Sequence, residues 1–247
     1  MRAAFALLLV ASLANACGGE TPPTREVFGH DRNQVWLFRP DGKPRAVVVF
    51  LHGFGGPVEQ TPRDHRAWID HLTRRGDAVV YPRYETVGNP APGPTIVRAV
   101  GRALDRLGAR PPLVVVGYSR GGRIAPDYAA LADASARAAH PVAVAAIFPG
   151  PVSPLEQRVD LSTLDPHTRF LILVGDRDRV VGNGGARELL LRLATAGFPA
   201  ARITAHLVRS QGRFVADHLA PLDDSPAARH AFWAPVDRLV AEFTIAR

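Results

Sequence analysis

Pro112-Leu113-Val114-Val115-Val116 runs directly into Gly117-Tyr118-Ser119-Arg120-Gly121, and a stretch suited to a helix, Arg123 to Ala138, follows. Glycine, any residue, serine, any residue, glycine at a strand-to-helix junction is the pattern of a nucleophile elbow. The turn is so sharp that the serine takes a strained backbone angle. Glycines two before and two after it leave room for the neighbouring strand and helix. An isolated cluster of small residues would mark no more than a turn. The apolar run before it and the helical stretch after it make Ser119 a candidate nucleophile.

Outward from this junction the chain alternates between two kinds of segment. Gln34 to Arg39 alternates apolar and polar residues as an edge strand does, and Asp41-Gly42 forms a turn. Ala46 to Leu51 is continuously apolar, as in a strand buried on both faces. Asp64 to Arg75 predicts a helix, Ala78 to Tyr81 a strand, and Val87 to Pro94 a loop rich in proline and glycine. In Thr95 to Leu107, Ile96, Val97, Val100, Leu104 and Leu107 recur at helical spacing. Pro141 to Phe148, Phe170 to Val174 and Arg202 to Val208 read as further strands. Glu188 to Ala196, ended by Gly197, and Ala227 to Phe243 read as helices. Strands alternating with helices imply parallel pairing through right-handed crossovers, hence an α/β fold with helices on both faces of one sheet. About twenty residues separate the strand ending near Phe148 from the one starting near Phe170, too few for a large cap domain.

At 247 residues and 47% hydrophobic, the chain suffices for one such domain, here taken as 34–247. Arg2, the apolar run Phe5 to Leu13 and the small-x-small Ala14-Asn15-Ala16 make residues 1–16 an export signal peptide. Its apolar run is too short to span a bilayer. Cys17, the only cysteine, comes next, and residues 17–33 are expected to form a polar tether. The segment resembles a bacterial lipoprotein signal, with Cys17 as the lipidated first residue. Leu13 stands four residues before the cysteine where the usual pattern has three, so release into the periplasm or medium stays open beside lipid anchoring. The expected location is outside the cytoplasm, in the periplasm or outer cell envelope. A single cysteine excludes an internal disulfide. The formal charge is +7, nearly all from arginine, since Lys43 is the only lysine. The arginines are spread along the chain without a compact basic run, which argues against a nucleic-acid partner.

A serine hydroxyl becomes a nucleophile when a positioned base takes its proton and an acid fixes the tautomer of that base. In an open parallel sheet these groups sit beyond the carboxyl ends of the strands. Asp178, in Gly175-Asp176-Arg177-Asp178 after the strand ending at Val174, fits the acid; Asp176 is its rival. Of nine histidines, His218 lies in the loop after the last strand, whereas His206 falls within that strand and His230 within the final helix. The other six, among them His30, His65, His71, His140 and His167, precede the acid. Ser119, Asp178 and His218 then stand in the order Ser, Asp, His. Backbone N–H donors for an oxyanion are expected from Arg120 and from Phe54, in His52-Gly53-Phe54-Gly55-Gly56 after the Ala46–Leu51 strand. No lysine follows that loop, so it is not a nucleotide-binding P-loop.

Together these motifs resemble the α/β-hydrolase superfamily from about Gln34 to Phe243. The resemblance implies a mostly parallel eight-stranded sheet whose second strand is antiparallel, acyl-enzyme chemistry at a serine, and no metal or organic cofactor. Dienelactone-hydrolase-like members share the small, capless outline with a cysteine nucleophile; secreted cutinase-like enzymes share size and export but carry disulfides. The expected substrate is a small-molecule or lipid-like carboxylic ester, with Phe54, Tyr84 and Trp233 lining an apolar acyl pocket and the Arg120 side chain favouring a carboxylate on the substrate. Amide hydrolysis, acyl transfer and a non-catalytic envelope binding module are the alternatives. The motifs carry no reading of oligomeric state.

Overall fold

The computed structural model describes residues 24–55, 60–84, 91–152 and 156–244. The export segment and residues 17–23 of the expected tether, Cys17 among them, lie outside the described residues. Eight strands form one sheet: β1 (Thr24–Phe28), β2 (Val35–Arg39), β3 (Val47–Leu51), β4 (Ala78–Pro82), β5 (Leu113–Tyr118), β6 (Ala143–Ile147), β7 (Arg169–Gly175) and β8 (Ile203–Val208). Their spatial order is β1-β2-β4-β3-β5-β6-β7-β8. Only β2 runs against its neighbours, pairing antiparallel with β1 and β4, while every pair from β4 to β8 is parallel.

The continuous apolar runs are explained by burial on both faces. Val47, Val49 and Leu51 point into one core, and Ala46, Val48 and Phe50 into the other. In β5 the same period of two sends Leu113 and Val115 one way and Val114, Val116 and Tyr118 the other. Helices α2 (Pro92–Leu107), α3 (Arg120–Asp133) and α4 (Gly184–Thr195) cover the first face. Helix α1 (Arg66–Arg74) and the closing helical segment cover the second, where Trp68 stacks on Trp233 at 5.4 Å. The stretch between β6 and β7 holds a single 3-10 turn, Leu161–Thr163, among its described residues, so there is no large cap.

Four expectations need correcting. The stretch expected as tether through residue 33 contains β1, whose Thr24–Phe28 pairs with Arg39–Val35. Only its last residue, Phe28, is buried, so the strand has no apolar period to read. Helix α2 begins at Pro92, inside the expected loop, because prolines are tolerated in a first turn whose N–H groups have no helical partner. Helix α4 likewise begins at Gly184, four residues before Glu188. The closing helix is interrupted: α5 (Pro226–Ala228) and α6 (Ala234–Ala241) flank a π-helical turn, Arg229–Trp233. Pro235 has no N–H to donate and its ring crowds the carbonyl four residues back, which favours the wider turn.

Candidate active site

The ends of β3, β5, β6, β7 and β8 all open onto one edge of the sheet, and the candidate residues come from the loops that leave it. Ser119 sits between β5 and α3 with φ 55° and ψ −118°, a left-handed conformation costly for a residue with a side chain. Its neighbours explain the glycines. A Cβ on Gly117 would lie 2.2 Å from the Gly121 carbonyl oxygen, and one on Gly121 would lie 2.2 Å from that of Leu51. Both contacts are with backbone, which cannot move aside. The elbow is therefore held by β3 on one side and by the first turn of α3 on the other.

The structure brings Ser119, His218 and Asp178 into one chain of hydrogen bonds. Ser119 Oγ lies 3.0 Å from His218 Nε2, and His218 Nδ1 lies 3.0 Å from Asp178 Oδ2. Asp178 also accepts the backbone N–H groups of Val180 at 2.8 Å and Val181 at 3.1 Å through its other oxygen. Its side chain is fully buried and His218 is nearly so. A carboxylate with both oxygens occupied has one orientation available, which fixes Nδ1–H on the acid side and leaves Nε2 free to accept from the serine. Gly175 makes the approach possible: a Cβ there would strike the Ala216 carbonyl oxygen at 2.1 Å, so only glycine lets the end of β7 meet the segment that carries His218.

The rival residues are placed elsewhere. Asp176 is solvent-exposed and accepts from Ser210 Oγ at 2.6 Å and Ser210 N–H at 2.9 Å. Those hydrogen bonds hold its carboxyl below the usual carboxylate range, with Arg177 and Arg209 assisting. His206 is exposed on β8 and His230 lies in the π turn.

The loop after β3 packs against the elbow. A Cβ on Gly53 would stand 3.3 Å from the Ser119 Cβ, so Phe54 follows immediately beside the nucleophile position. Arg120 is the first residue of α3, where the helix leaves N–H groups without helical acceptors. Arg120 directly follows Ser119, and Phe54 follows Gly53, whose backbone packs against Ser119. His52 is fully buried; its Nδ1–H donates to Gly53 O at 2.7 Å. Burial pushes its pKa down to about 4 against the opposing pull of that bond, which keeps the imidazole neutral.

Three expectations about the pocket fail. Tyr84 is fully buried, stacks on His52 at 4.2 Å and donates its OH to His52 O at 2.5 Å, so it braces the loop from within the core. Trp233 is buried against Trp68, and its Nε1–H donates to Pro221 O at 3.1 Å. The Arg120 guanidinium pairs with the buried Glu156, which also pairs with Arg123, and is therefore not presented to a substrate. Phe54 alone of the three aromatics is exposed, at 64%.

Two residues that sequence reasoning passed over hold the imidazole. Tyr118 donates its OH to the His218 carbonyl oxygen at 2.6 Å, and its ring lies 5.2 Å from the imidazole. Phe148 meets that ring edge-on at 5.6 Å. Tyr118 occupies a position of the elbow motif at which any residue is allowed, and Phe148 ends an apolar run, so neither carries a signal of its own.

With this geometry in place, the comparisons agree with the fold. A family model described as alpha/beta hydrolase family matches residues 48–246, and the chain belongs to that family. Esterase B from Lactobacillus rhamnosis HN001 superposes with a TM-score of 0.68 at 14% identity, covering 90% of this chain and 86% of that one. Carboxyl esterase 2 from the mycorrhizal fungus Tuber melanosporum gives 0.63 at 19% identity, covering 95% and 89%. Esterase 2 of Thermogutta terrifontis, in a form phosphoramylated by tabun, gives 0.63 at 18% identity, covering 92% and 97%. A search of curated proteins returned no match.

Proposed function

We propose that the protein is a serine hydrolase that cleaves carboxylic esters through an acyl-enzyme. The single observation that carries this reading is the unbroken chain Ser119 Oγ, His218, Asp178 at 3.0 Å per step, beginning at a strained elbow. Ser119 Oγ attacks the acyl carbon while His218 Nε2 takes its proton, and Asp178 holds the imidazolium that forms. The carbonyl oxygen becomes an oxyanion that the N–H groups of Phe54 and Arg120 receive. His218 then protonates the leaving alcohol. Water, deprotonated by the same nitrogen, attacks the acyl carbon and releases the acid and Ser119. Structural neighbours that are esterases support ester over amide as the substrate bond. Labelling with a fluorophosphonate probe tests the reading. Folded wild type is expected to react at Ser119, and Ser119→Ala is expected to be silent; unlabelled wild type would favour a binding module.

Export is part of the proposal, on the strength of the sequence of residues 1–16. With Cys17 lipidated, Cys17→Ser shifts the protein from the membrane to the soluble fraction of the producing cell. Unchanged partitioning would remove the anchor.

A further inference from the structure

An open groove of about 710 Å³ begins at His218 and runs between the loops that follow β7 and β8, with Arg177, Arg179, Val180, Val215 and Leu219 among its walls. Its charge is unusual for the neighbourhood. The two loops carry four arginines, at 177, 179, 209 and 213, and three aspartates, at 176, 178 and 217. Each aspartate is already engaged. Asp176 accepts from Ser210, Asp178 from Val180, Val181 and His218, and Asp217 from the N–H groups of Leu219 and Ala220. None of the four guanidiniums is held in an ion pair or hydrogen bond among the described residues, although Arg177 and Arg209 act on the Asp176 carboxyl at longer range. Arginines behind the elbow differ. Arg120 and Arg123 pair with Glu156, while Arg123 and Arg192 pair with Asp127.

The apolar wall is equally exposed. Val180, Val215 and Leu219 are 70%, 51% and 64% accessible, and all three stand within three residues of Asp178 or His218. Apolar surface left facing water at the mouth of a site marks a binding face. Free guanidiniums beside it supply planar donors matched to a carboxylate.

We propose that this groove is the subsite for the charged end of the substrate, and that the preferred substrates are esters bearing a free carboxylate on a short apolar chain. The inference rests on the ester-hydrolase reading. The chain lies over Val180, Val215 and Leu219, and the carboxylate meets Arg177 and Arg179, which flank Asp178 in the chain and line the same groove as His218. The carboxylate preference expected of Arg120 is thereby reassigned to two residues in a different loop.

Binding to Ser119→Ala, measured by calorimetry, reads the subsite without turnover. The probes are the p-nitrophenyl monoester of glutarate and p-nitrophenyl pentanoate, which share chain length and differ in the terminal carboxylate. The monoester is expected to bind about tenfold more tightly at low salt, an advantage of about 1.4 kcal/mol, and less so as salt screens the pair. Adding Arg177→Gln and Arg179→Gln together is expected to remove the advantage, and the paired lysine replacements to keep most of it. Equal binding of the two probes, or an advantage that survives both glutamines, overturns the proposal. Fluorophosphonate labelling of wild type separates the two levels. Labelling without a carboxylate preference refutes the subsite alone, and a carboxylate preference without labelling refutes the hydrolase reading alone.

Discussion

Asp176 and Asp178 stand two residues apart in one loop and meet different partners, which makes them a controlled comparison. Asp178 is buried with both oxygens occupied, one of them by His218; Asp176 is in solvent on Ser210. Asp178→Asn replaces an acceptor by an amide that favours the wrong imidazole tautomer, so kcat is expected to fall on the order of a thousandfold or more. Asp176→Asn is expected to stay within a fewfold of wild type. Ester hydrolysis by the two purified variants decides between them, and the reverse order would reassign the acid. Tyr118 and Phe148 belong to the same scale: they fix where the imidazole sits, and the carbonyl of His218 is tied to the strand that delivers the serine.

At the scale of elements, the elbow is a problem of backbone clearance. β5, α3 and the end of β3 approach so closely that the carbonyl oxygens of Leu51 and His52 lie 2.2 and 2.5 Å from where a Gly121 Cβ would be. Gly121→Ala therefore has to push apart two parallel strands or the start of α3. Its cost is expected on the order of 3 kcal/mol or more, read by urea unfolding. Gly101, in the middle of α2, has nothing within 4 Å of its Cβ position, and Gly101→Ala is expected to stabilise by about 1 kcal/mol or less through helix propensity. A similar cost for both would mean that the elbow is looser than its geometry.

For the whole molecule, two imidazoles buried neutral beneath the site set the response to acid. Burial pushes His52 down to about 4 and His65 to about 3, in the latter case helped by His52. In the unfolded chain both titrate near 6.5, so below that pH the unfolded state binds more protons and folding stability falls as pH falls. The loss accumulates from about pH 6.5 down toward 4, at up to about 1.4 kcal/mol per pH unit for each group. Asp77 works in the opposite sense: burial raises it to about 6 against the opposing Arg45, so the folded state holds its proton through part of this range. Two imidazoles outweigh one carboxyl. Urea unfolding at pH 7 and pH 5 is expected to show a loss of order 2 kcal/mol at the lower pH, and an unchanged midpoint would contradict the buried neutral assignment.

The three residues of the hydrogen-bonded chain, Ser119, Asp178 and His218, were legible in the sequence because each follows a strand, and the strands announce themselves as apolar runs. The sharp turn at Ser119 demands glycines at fixed distances, which is why the motif is local. β1 was invisible, since an edge strand with one buried residue has no period, and the π turn was hidden because Pro235 is as compatible with a helix start as with a break. The pocket was misjudged for a different reason. Whether Tyr84, Trp233 or Arg120 faces a ligand depends on what stands behind it, and His52, Trp68 and Glu156 come from distant parts of the chain. Sequence by itself determined the α/β architecture and pointed to the candidate triad, because both depend on local backbone geometry and alternating burial. Only the tertiary structure decided which arginines are held in close ion pairs and which are not, because ion pairing is set by neighbours brought together across the fold.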